Sequence, residues 1–372
     1  MKVALCHHFS LTYFAGGEKG LVGLAKFLES RGHSVSIYCL PISRRPERAP
    51  FVEYPFREGW RQPVDADIAY FVFAPFVWRL FGVKCPKIAG LHSFIVDPVG
   101  SSDGLDSISI WKSLRFLGPR LTIADRYFKF TGTTELSSFD AIHSLSGLTR
   151  SSHPNIFHIP VFVDRRKYSP ISEKKERFTV LFAGRGEWTK GMSTFVEVAN
   201  ILSEDDYEFE LTGALAKTRP VRDLGFLSDE DLVRAYSEAH CVVLPSRIDV
   251  CSNTILESMA CGTPVITTPL ATHEVTRLPL IYAQTATQMA QQLRMLRQLW
   301  LHRRDDYARL SQSVRTATAA YDVDLIGPMY EKMLESVRTR TRLNMNGMRL
   351  QMKTTEQLQA EPLEASKQFA LP

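Results

Sequence analysis

Residues 245–269 read PSRIDVCSNTILESMACGTPVITTP, and this stretch predicts a loop, a short helix, a tight stop and a buried strand. Ser252 or Asn253 can cap the helix, because either side chain can accept a hydrogen bond from an unpaired amide of the first turn. Gly262 favours a left-handed stop, and the β-branched run 265–268 is typical of a parallel strand that is buried on both faces. A helix that begins at the carboxyl edge of such a sheet aims free N–H groups at that edge, so the stretch predicts an anion site.

The predicted helix has one apolar side. Ile255, Leu256, Met259 and Ala260 gather there at about 100° per residue, which is the helical repeat. The same repeat places Glu257 off the apolar face. The helix is therefore expected to pack on the sheet and to carry a carboxylate outside the packed side.

Strands and helices alternate on both sides of this stretch. In the first half, residues 3–6 and 35–39 read as buried strands that flank a helix at 21–28. In the second half, residues 178–183 and 240–246 read as further buried strands. This pattern predicts an α/β protein with Rossmann-like sheets. The first loop lacks the G-x-G-x-x-G fingerprint, so NAD binding is poorly supported.

Composition favours a two-domain globular protein. A chain of 372 residues is long enough for two domains with separate cores, and 44% apolar with 23% charged residues is ordinary for globular proteins. The six cysteines are scattered and form no C-x-x-C pair, which favours reduced thiols in a cytosolic compartment. The opening run Met1–Cys6 is too short for a signal peptide and no later run spans a bilayer, so we expect a cytoplasmic protein.

Charge is uneven along the chain. Residues 1–165 hold 19 Lys and Arg against 14 Asp and Glu, while residues 166–337 hold 20 against 23. The plainer interpretation is an ordinary solvated surface. The sharper one is peripheral contact of the first half with an anionic membrane or an acidic acceptor. Nucleic acid is disfavoured, since there is no dense basic stripe with interleaved aromatic residues.

The pair Asp65-x-Asp67 has the spacing of a metal-binding D-x-D motif. It precedes a predicted strand, whereas ligands of open α/β sheets collect where strands end. We therefore interpret the two carboxylates as structural and predict no metal site.

Residues 249–266 resemble the signature of the retaining glycosyltransferases of family 4, the group 1 glycosyltransferases. That signature has two acids separated by seven residues, here Asp249 and Glu257, and continues as Glu-Ser-Met-Ala-Cys-Gly-Thr-Pro-Val-Ile. The resemblance implies that Glu257 binds the ribose hydroxyls of a nucleotide-sugar and that Asp249 lies by the sugar and its leaving oxygen. The family usually has Glu where this chain has Asp249. The resemblance also implies that Ser252, Asn253 and Thr254, at the start of the helix, bind the donor.

A second motif follows the strand at 178–183. Gly184-Arg185-Gly-Glu-Trp-Thr-Lys190-Gly191 is similar to the Gly-Arg-Leu-x-x-x-Lys-Gly of the same family, without the Leu. A nucleotide-sugar leaves as a diphosphate with extra negative charge in the transition state. Fixed cations at Arg185 and Lys190 would stabilise that charge more than the ground state, which accelerates the reaction.

Three looser matches complete the resemblance. Gly16-Gly17-Glu18-Lys19 looks like the Gly-Gly-x-Glu-Arg loop that lies over the donor diphosphate in the family. His92 ends the strand that starts at Lys87, where the family has a histidine whose imidazole approaches the transferred sugar. Glu274 stands where the family often has Gly-Gly-x-x-Glu beside the sugar, although the glycines are missing here.

The resemblance implies the GT-B architecture, with two Rossmann-like domains facing a central cleft. The expected domains are an acceptor domain at 1–170 and a nucleotide-sugar domain at 171–325. A closing helix at 326–340 returns to the first domain, and 341–372 reads as a polar tail.

The implied reaction is retaining, metal-independent transfer from a UDP- or GDP-sugar to a hydroxyl of a glycan or lipid-linked glycan. The nucleotide-sugar is a co-substrate, and no other cofactor is implied. Two alternatives stay open. A non-catalytic GT-B subunit would bind the nucleotide-sugar without turnover, and Asp249 together with the missing glycines before Glu274 favours it slightly. A sugar-nucleotide epimerase would share the architecture but need no acceptor, and the motifs around Lys190 and Glu257 fit it less well.

Overall fold

The computed structural model describes residues 1–11, 16–42, 54–92, 134–149, 153–186, 188–213 and 220–339, with positions 119, 122, 123, 127 and 131. The polar tail 341–372 considered above lies outside the described residues. The chain divides into two compact units. Unit 1 comprises Met1–Phe162 and the segment that begins at Val323, and unit 2 comprises the described residues of Val163–Asp322.

Unit 1 is built on a parallel sheet. Its strands and one small strand pair are, in chain order, β1 (Lys2–His7), β2 (Ser34–Cys39), β3 (Phe56–Glu58), β4 (Pro63–Val64), β5 (Ile68–Val72), β6 (Gly82–Val83), β7 (Lys87–Leu91), β8 (Ala141–Ser144) and β9 (Ile156–His158). The spatial order in the sheet is β3-β2-β1-β5-β7-β8-β9, and β4 pairs with β6 apart from it. Helix α1 (Gly16–Ser30) connects β1 to β2, and a 3-10 turn spans Val77–Leu80. Nearly every residue of β1, β5, β7 and β8 is buried, which explains their continuous apolar sequences.

Unit 2 repeats this plan. Its parallel strands are β10 (Phe178–Ala183), β11 (Tyr207–Thr212), β12 (Val221–Asp223), β13 (Cys241–Leu244), β14 (Val265–Thr267) and β15 (Ile281–Tyr282). Its helices are α2 (Met192–Ile201), α3 (Asp229–Glu238), α4 (Asn253–Ala260), α5 (Ala271–Glu274), α6 (Ala286–His302) and α7 (Arg304–Ala317), with 3-10 turns at Trp188–Lys190 and Thr318–Tyr321. The strand order is β12-β11-β10-β13-β14-β15.

The last described helix, α8 (Val323–Arg338), belongs to unit 1. Its apolar side packs into the unit 1 core with residues of α1 and of the sheet. A Cβ on Gly327 would lie 2.6 Å from the ring of Phe27, so α8 and α1 approach each other closely at this point.

Both sheets have Rossmann-like topology, as the sequence predicts. The strand order reverses between β1 and β5 in unit 1 and between β10 and β13 in unit 2. In open α/β sheets, ligands bind outside the carboxyl ends of the strands at such a switch point. The fold therefore directs attention to the loops after β10 and β13, and to those after β1, β5 and β7. None of the helices in the described part of the chain combines the length and apolar character needed to span a bilayer.

Candidate functional site

The loops that follow β10 and β13 are joined by backbone hydrogen bonds. The amide of Arg247 donates to the carbonyl of Thr189 at 2.8 Å. Gly191, at the start of α2, has φ 72°, and a Cβ there would lie 1.9 Å from the carbonyl oxygen of Pro245. Only glycine combines this left-handed backbone with so close an approach. The two loops are thereby held in contact at the switch point of unit 2.

This contact brings together Lys190 and Asp249, two of the residues singled out in the sequence. The Lys190 ammonium donates to Oδ2 of Asp249 at 2.8 Å, and the two side chains are 20% and 5% exposed. Ser246 also donates to Oδ2 of Asp249 at 3.3 Å, and Thr272 donates to the Asp249 carbonyl at 2.8 Å. The carboxylate is thus used to hold Lys190, and the chain fixes a cation just beyond β10.

His273 completes the surroundings of Asp249. Its ring is buried, and its Nδ1 lies 3.2 Å from the carbonyl of Thr268, to which it donates. Its Nε2 lies 3.9 Å from Oδ2 of Asp249. Burial alone would raise the pKa of Asp249, but Lys190 and His273 outweigh burial and hold that pKa well below its usual range. Asp249 is therefore a carboxylate at all ordinary pH values.

Helix α4 begins beside the same strand end. Thr254 donates from its hydroxyl to the carbonyl of Ala183, the last residue of β10, at 3.1 Å. Ser252 is the residue before the helix, as predicted, but its side chain makes no capping hydrogen bond. Of the two caps that the sequence predicts, Ser252 or Asn253, Ser252 occupies the N-cap position without the predicted hydrogen bond. Asn253 is the first helical residue and is partly buried.

Glu257 differs from its expected setting. The helical repeat places it off the apolar face, yet the side chain is buried, with 7% exposed. Tyr236 of α3 covers it and donates a hydrogen bond to its Oε2 at 3.0 Å. The carboxylate also interacts with Tyr168, whose pKa is raised first by burial and then by Glu257.

The remaining predicted residues of unit 2 lie at different depths. Gly184 and Arg185 come directly after β10 and are both partly buried. Glu274 ends α5 and is exposed, and within the described residues its carboxylate forms no hydrogen bond or ion pair. It is the neighbouring His273, not Glu274, that faces Asp249.

In unit 1, the Gly16-Gly17 pair forms the first residues of α1, after the carboxyl end of β1. Both glycines are exposed, and a Cβ on Gly17 would meet no other atom within 4 Å among the described residues. Packing therefore does not require glycine at position 17, whereas close approach of a ligand would. Glu18 is buried behind the pair, with its Oε1 3.6 Å from Nε2 of His7.

His92 follows β7 and makes a close side-chain contact. Its Nε2 lies 2.6 Å from the hydroxyl of Tyr70 on β5, and the same hydroxyl lies 2.6 Å from Nδ1 of His143 on β8. Burial, followed by the field of the other histidines, lowers the pKa of His92 to about 3. Burial likewise lowers the pKa of His143 to about 4. Both rings are neutral at physiological pH.

Acidification from pH 7 to pH 5 is expected to destabilise the fold. Burial also lowers the pKa of His240, to about 3. Between this value and the ordinary histidine pKa of 6.5, His92, His143 and His240 are therefore largely unprotonated in the folded protein and protonated in the unfolded chain. Because the unfolded state then binds more protons, stability falls as pH falls, by about 2 kcal/mol per buried histidine at pH 5. Urea unfolding at the two pH values measures this loss. His240→Asn should remove its share of the pH dependence, and an equal loss in wild type and variant would contradict the assignment.

Asp65 and Asp67 precede β5 and therefore lie away from the carboxyl ends of the strands. Asp65 and Asp67 both bond to Lys2, through its ammonium and its amide, at 2.8 Å each, as the structural interpretation predicts. Among the described residues, one other group has ligand atoms close enough for a metal ion: His33, Glu331 and Glu335. His33 already bonds Glu331 at 2.8 Å, and Arg31 pairs with the same carboxylate, so ion pairing accounts for this group.

Sequence reasoning missed the buried partners of the site. Tyr70 and His143 lie in strands that read as plain core, and His273 lies beside Glu274, the residue that the resemblance singles out. One signal was available: Gly90 interrupts the apolar strand β7, and a Cβ there would lie 2.3 Å from the Tyr70 hydroxyl. A glycine inside a buried strand indicates a close approach from a neighbour.

Comparisons with known proteins agree with this geometry. Residues 177–298 match the family described as Glycosyl transferases group 1. The D-inositol 3-phosphate glycosyltransferase of Paenarthrobacter aurescens is 29% identical over 137 residues, which cover 29% of this chain and 34% of that protein. The match thus spans about a third of the length of the curated relative.

Solved structures resemble most of the chain. Sucrose-phosphate synthase from Thermosynechococcus elongatus has a TM-score of 0.67 at 16% identity, over 92% of this chain and 100% of that one. Anabaena HepE in complex with UDP and glucose has a TM-score of 0.61 at 14% identity, over 90% and 100%. An alpha-glucosyltransferase in complex with UDP-glucose and DNA containing an abasic site has a TM-score of 0.62 at 13% identity, over 90% and 99%.

At these identities the structural likeness establishes the fold, and the family match adds a sequence similarity within the second unit. The chain has the α/β fold of GT-B glycosyltransferases, and its residues 177–298 are similar to the group 1 glycosyltransferases.

Proposed function

We propose that this protein is a retaining glycosyltransferase that moves a sugar from a UDP- or GDP-sugar to a hydroxyl of a glycan or lipid-linked glycan. The observation that carries the proposal is the cation of Lys190, fixed by buried Asp249 beyond β10, on the same loop as Arg185. A cation held in place before the reaction stabilises charge that develops on a leaving diphosphate without reorganising. One structural neighbour is in complex with UDP and glucose and another with UDP-glucose, which supports a nucleotide-sugar as donor.

The proposed roles in unit 2 follow from the contacts. Lys190 and Arg185 receive the diphosphate, with the start of α4 offering backbone N–H groups nearby. Glu257 binds the ribose through its carboxylate, which the hydrogen bond from Tyr236 holds in place. Asp249 acts through Lys190, since its Oδ2 is already shared by Lys190 and Ser246. Side-chain cations would neutralise the diphosphate, so we propose that the reaction needs no metal.

In unit 1, we propose that the acceptor binds at the carboxyl edge of the sheet, near the Gly16-Gly17 pair and His92. The open space around Gly17 among the described residues and the partly buried position of His92 at the end of β7 support this placement. The proposal extends to peripheral contact with an anionic membrane surface, which the net positive charge of residues 1–165 favours.

A non-catalytic nucleotide-sugar-binding subunit is a second candidate. It is favoured by the exposed position of Glu274 and by the commitment of Asp249 to Lys190, since neither carboxylate is then directed at a sugar. This candidate predicts nucleotide binding without release of UDP or GDP.

Product analysis with a panel of UDP- and GDP-sugars tests the proposal. We expect release of nucleotide from one donor, transfer to an acceptor with retained anomeric configuration, and no effect of a metal chelator. Glu257→Gln should lower kcat/KM by about 10- to 100-fold, since an amide cannot accept hydrogen bonds from both Tyr236 and a ribose as a carboxylate does.

Glu230→Gln is the matched control for Glu257→Gln. Glu230 lies on α3 of the same unit, is exposed and pairs only with Arg234 among the described residues. It loses the same charge, and its activity should equal that of the wild type. Binding of nucleotide-sugars with no turnover for any acceptor would favour the binding subunit, and inversion at the anomeric carbon would overturn the retaining mechanism.

A further inference from the structure

Three adjacent strands of unit 1 bring Tyr70, His92 and His143 into one hydrogen-bonded chain. Tyr70 is on β5, His143 is on β8, and His92 follows β7, which lies between them in the sheet. The Tyr70 hydroxyl is 2.6 Å from Nε2 of His92 and 2.6 Å from Nδ1 of His143. Tyr70 and His143 are fully buried, and the proposed roles above use neither residue.

The far end of this chain fixes its direction. Nε2 of His143 lies 2.8 Å from the carbonyl oxygen of Ile159, which can only accept a hydrogen bond, so Nε2 carries the proton. Nδ1 of a neutral His143 is then an acceptor, and Tyr70 must donate its hydroxyl proton to it. The Tyr70 oxygen is left to accept from His92, whose Nε2 therefore carries the proton. The tautomer of His92 follows from the network.

The hydrogen bonds have these directions only if both imidazole rings are neutral, and the surroundings of the two rings keep them neutral. Among the described residues, the groups that face them are the His7 and His158 rings and the Tyr330 ring, and no carboxylate there stabilises an imidazolium. Burial lowers the pKa of both His92 and His143 far below neutrality, and burial raises the pKa of Tyr70 well above its ordinary value. A neutral histidine has one donor and one acceptor, so each link has a defined direction.

The sheet is also shaped to hold the central hydroxyl. Gly90 of β7 leaves room for it, since a Cβ would lie 2.3 Å from the Tyr70 oxygen. Tyr330 of α8 packs its ring 4.9 Å from that of His143 and 6.5 Å from that of Tyr70. The chain of hydrogen bonds is thus enclosed by packing on both sides.

We propose that Tyr70 and His143 are positioning residues that fix His92 in its Nε2–H tautomer, so that Nδ1 of His92 accepts a hydrogen bond from a hydroxyl group of a sugar substrate. The proposal rests on the proposed function for the identity of the substrate, and on the geometry alone for the tautomer. The opposite tautomer would present a donor at Nδ1. The hydrogen bonds that start at the Ile159 carbonyl therefore determine that His92 binds a sugar hydroxyl that donates its proton, and not one that accepts.

Long-range ¹H–¹⁵N correlation spectra of the full chain labelled with [¹⁵N]histidine test the tautomer directly. The His92 signals are identified by their loss in His92→Gln. In the wild type we expect a protonated Nε2 and an unprotonated Nδ1. In His143→Leu, Tyr70 has no acceptor there and should donate to Nε2 of His92, which reverses the tautomer. In Tyr70→Phe both tautomers of His92 should coexist.

Two further variants separate positioning from packing. His143→Asn keeps an acceptor near the place of Nδ1, and should preserve the wild-type tautomer. Tyr330→Phe removes a hydroxyl that donates to the Pro160 carbonyl at 3.2 Å in the same cluster, but outside the chain of hydrogen bonds, and should also leave the tautomer unchanged. An Nδ1–H tautomer in the wild type overturns the proposal without any variant. An unchanged tautomer in both Tyr70→Phe and His143→Leu overturns it as well.

Kinetics link the tautomer to substrate. Tyr70→Phe and His143→Leu should lower kcat/KM about tenfold, which is the loss of one hydrogen bond to substrate, while His143→Asn and Tyr330→Phe stay near the wild type. Wild-type kinetics in a variant with a reversed tautomer would overturn the role in recognition. Absence of any transfer by the wild type would instead count against the proposed function, and the spectra would still decide the tautomer.

Discussion

Lys190→Ala is expected to lower kcat/KM for glycosyl transfer by about a thousandfold. The lost ammonium is the cation fixed beside the proposed diphosphate, and removal of one preorganised group that stabilises transition-state charge typically has an effect of this size. The same substitution removes the ion-pair partner of Asp249, a carboxylate with only 5% of its side chain exposed. Since an unpaired buried charge is strongly destabilising, the free energy of unfolding should fall by about 3 kcal/mol. Steady-state kinetics and urea unfolding measure the two effects.

Two controls separate activity from stability. Lys190→Ala with Asp249→Asn removes the stranded charge, so it should recover stability without recovering activity. Lys175→Ala breaks a comparable pair in unit 2, with Lys175 2.7 Å from the buried carboxylate of Glu210, although Arg222 also pairs with Glu210 at 3.4 Å. This variant should lose some stability and keep full activity. If Lys190→Ala lost no more activity than Lys175→Ala, the proposed role of Lys190 would be wrong.

Gly191→Ala is expected to destabilise unit 2 by about 3 kcal/mol or more and to abolish activity. The added Cβ would lie 1.9 Å from the Pro245 carbonyl oxygen, in a backbone with φ 72° that disfavours any side chain. Relief of the clash must separate the loops that hold Lys190 and Asp249 together. Thermal and urea unfolding, together with activity, check both consequences.

Gly225→Ala is the matched control for this substitution. Gly225 also has positive φ, at 69°, but a Cβ there would meet no atom within 4 Å among the described residues. It therefore shares the backbone strain without the clash, and should lose about 1–2 kcal/mol of stability. Similar losses in the two variants would show that the contact with Pro245 does not matter.

The fold was predictable because its signals are local. The buried strands and the helix-and-stop pattern of residues 252–268 depend on apolar periodicity and on glycine and β-branched preferences, which neighbouring residues carry. The likeness of Gly184–Gly191 to a known motif also located the cation that the structure fixes. Local sequence patterns could not predict how deeply a side chain is buried. Glu257 lies off the apolar face of its helix, yet Tyr236, 21 residues earlier in the chain, buries it.

Roles that depend on partners distant in sequence were missed. The family usually has Glu where this chain has Asp249, and the structure shows the Asp249 carboxylate bonded to Lys190, 59 residues away. The hydrogen-bonded chain of Tyr70 and His143 joins residues 73 positions apart, each of which reads alone as strand core. Only tertiary contacts reveal these pairs, although Gly90 marks the place where one of them is made.

The most direct test of the central claim is calorimetric binding of UDP, GDP and the corresponding nucleosides to the wild type, Lys190→Ala and Lys175→Ala. The proposed site predicts that the wild type binds at least one nucleoside diphosphate, and that Lys190→Ala weakens this binding at least about tenfold, as expected for a lost charge-assisted contact. Nucleoside binding should be unaffected, because the nucleoside has no phosphate for Lys190 to contact, and Lys175→Ala should match the wild type. Failure of the folded wild type to bind either diphosphate, or equal affinities in Lys190→Ala and wild type, would contradict a diphosphate site at Lys190.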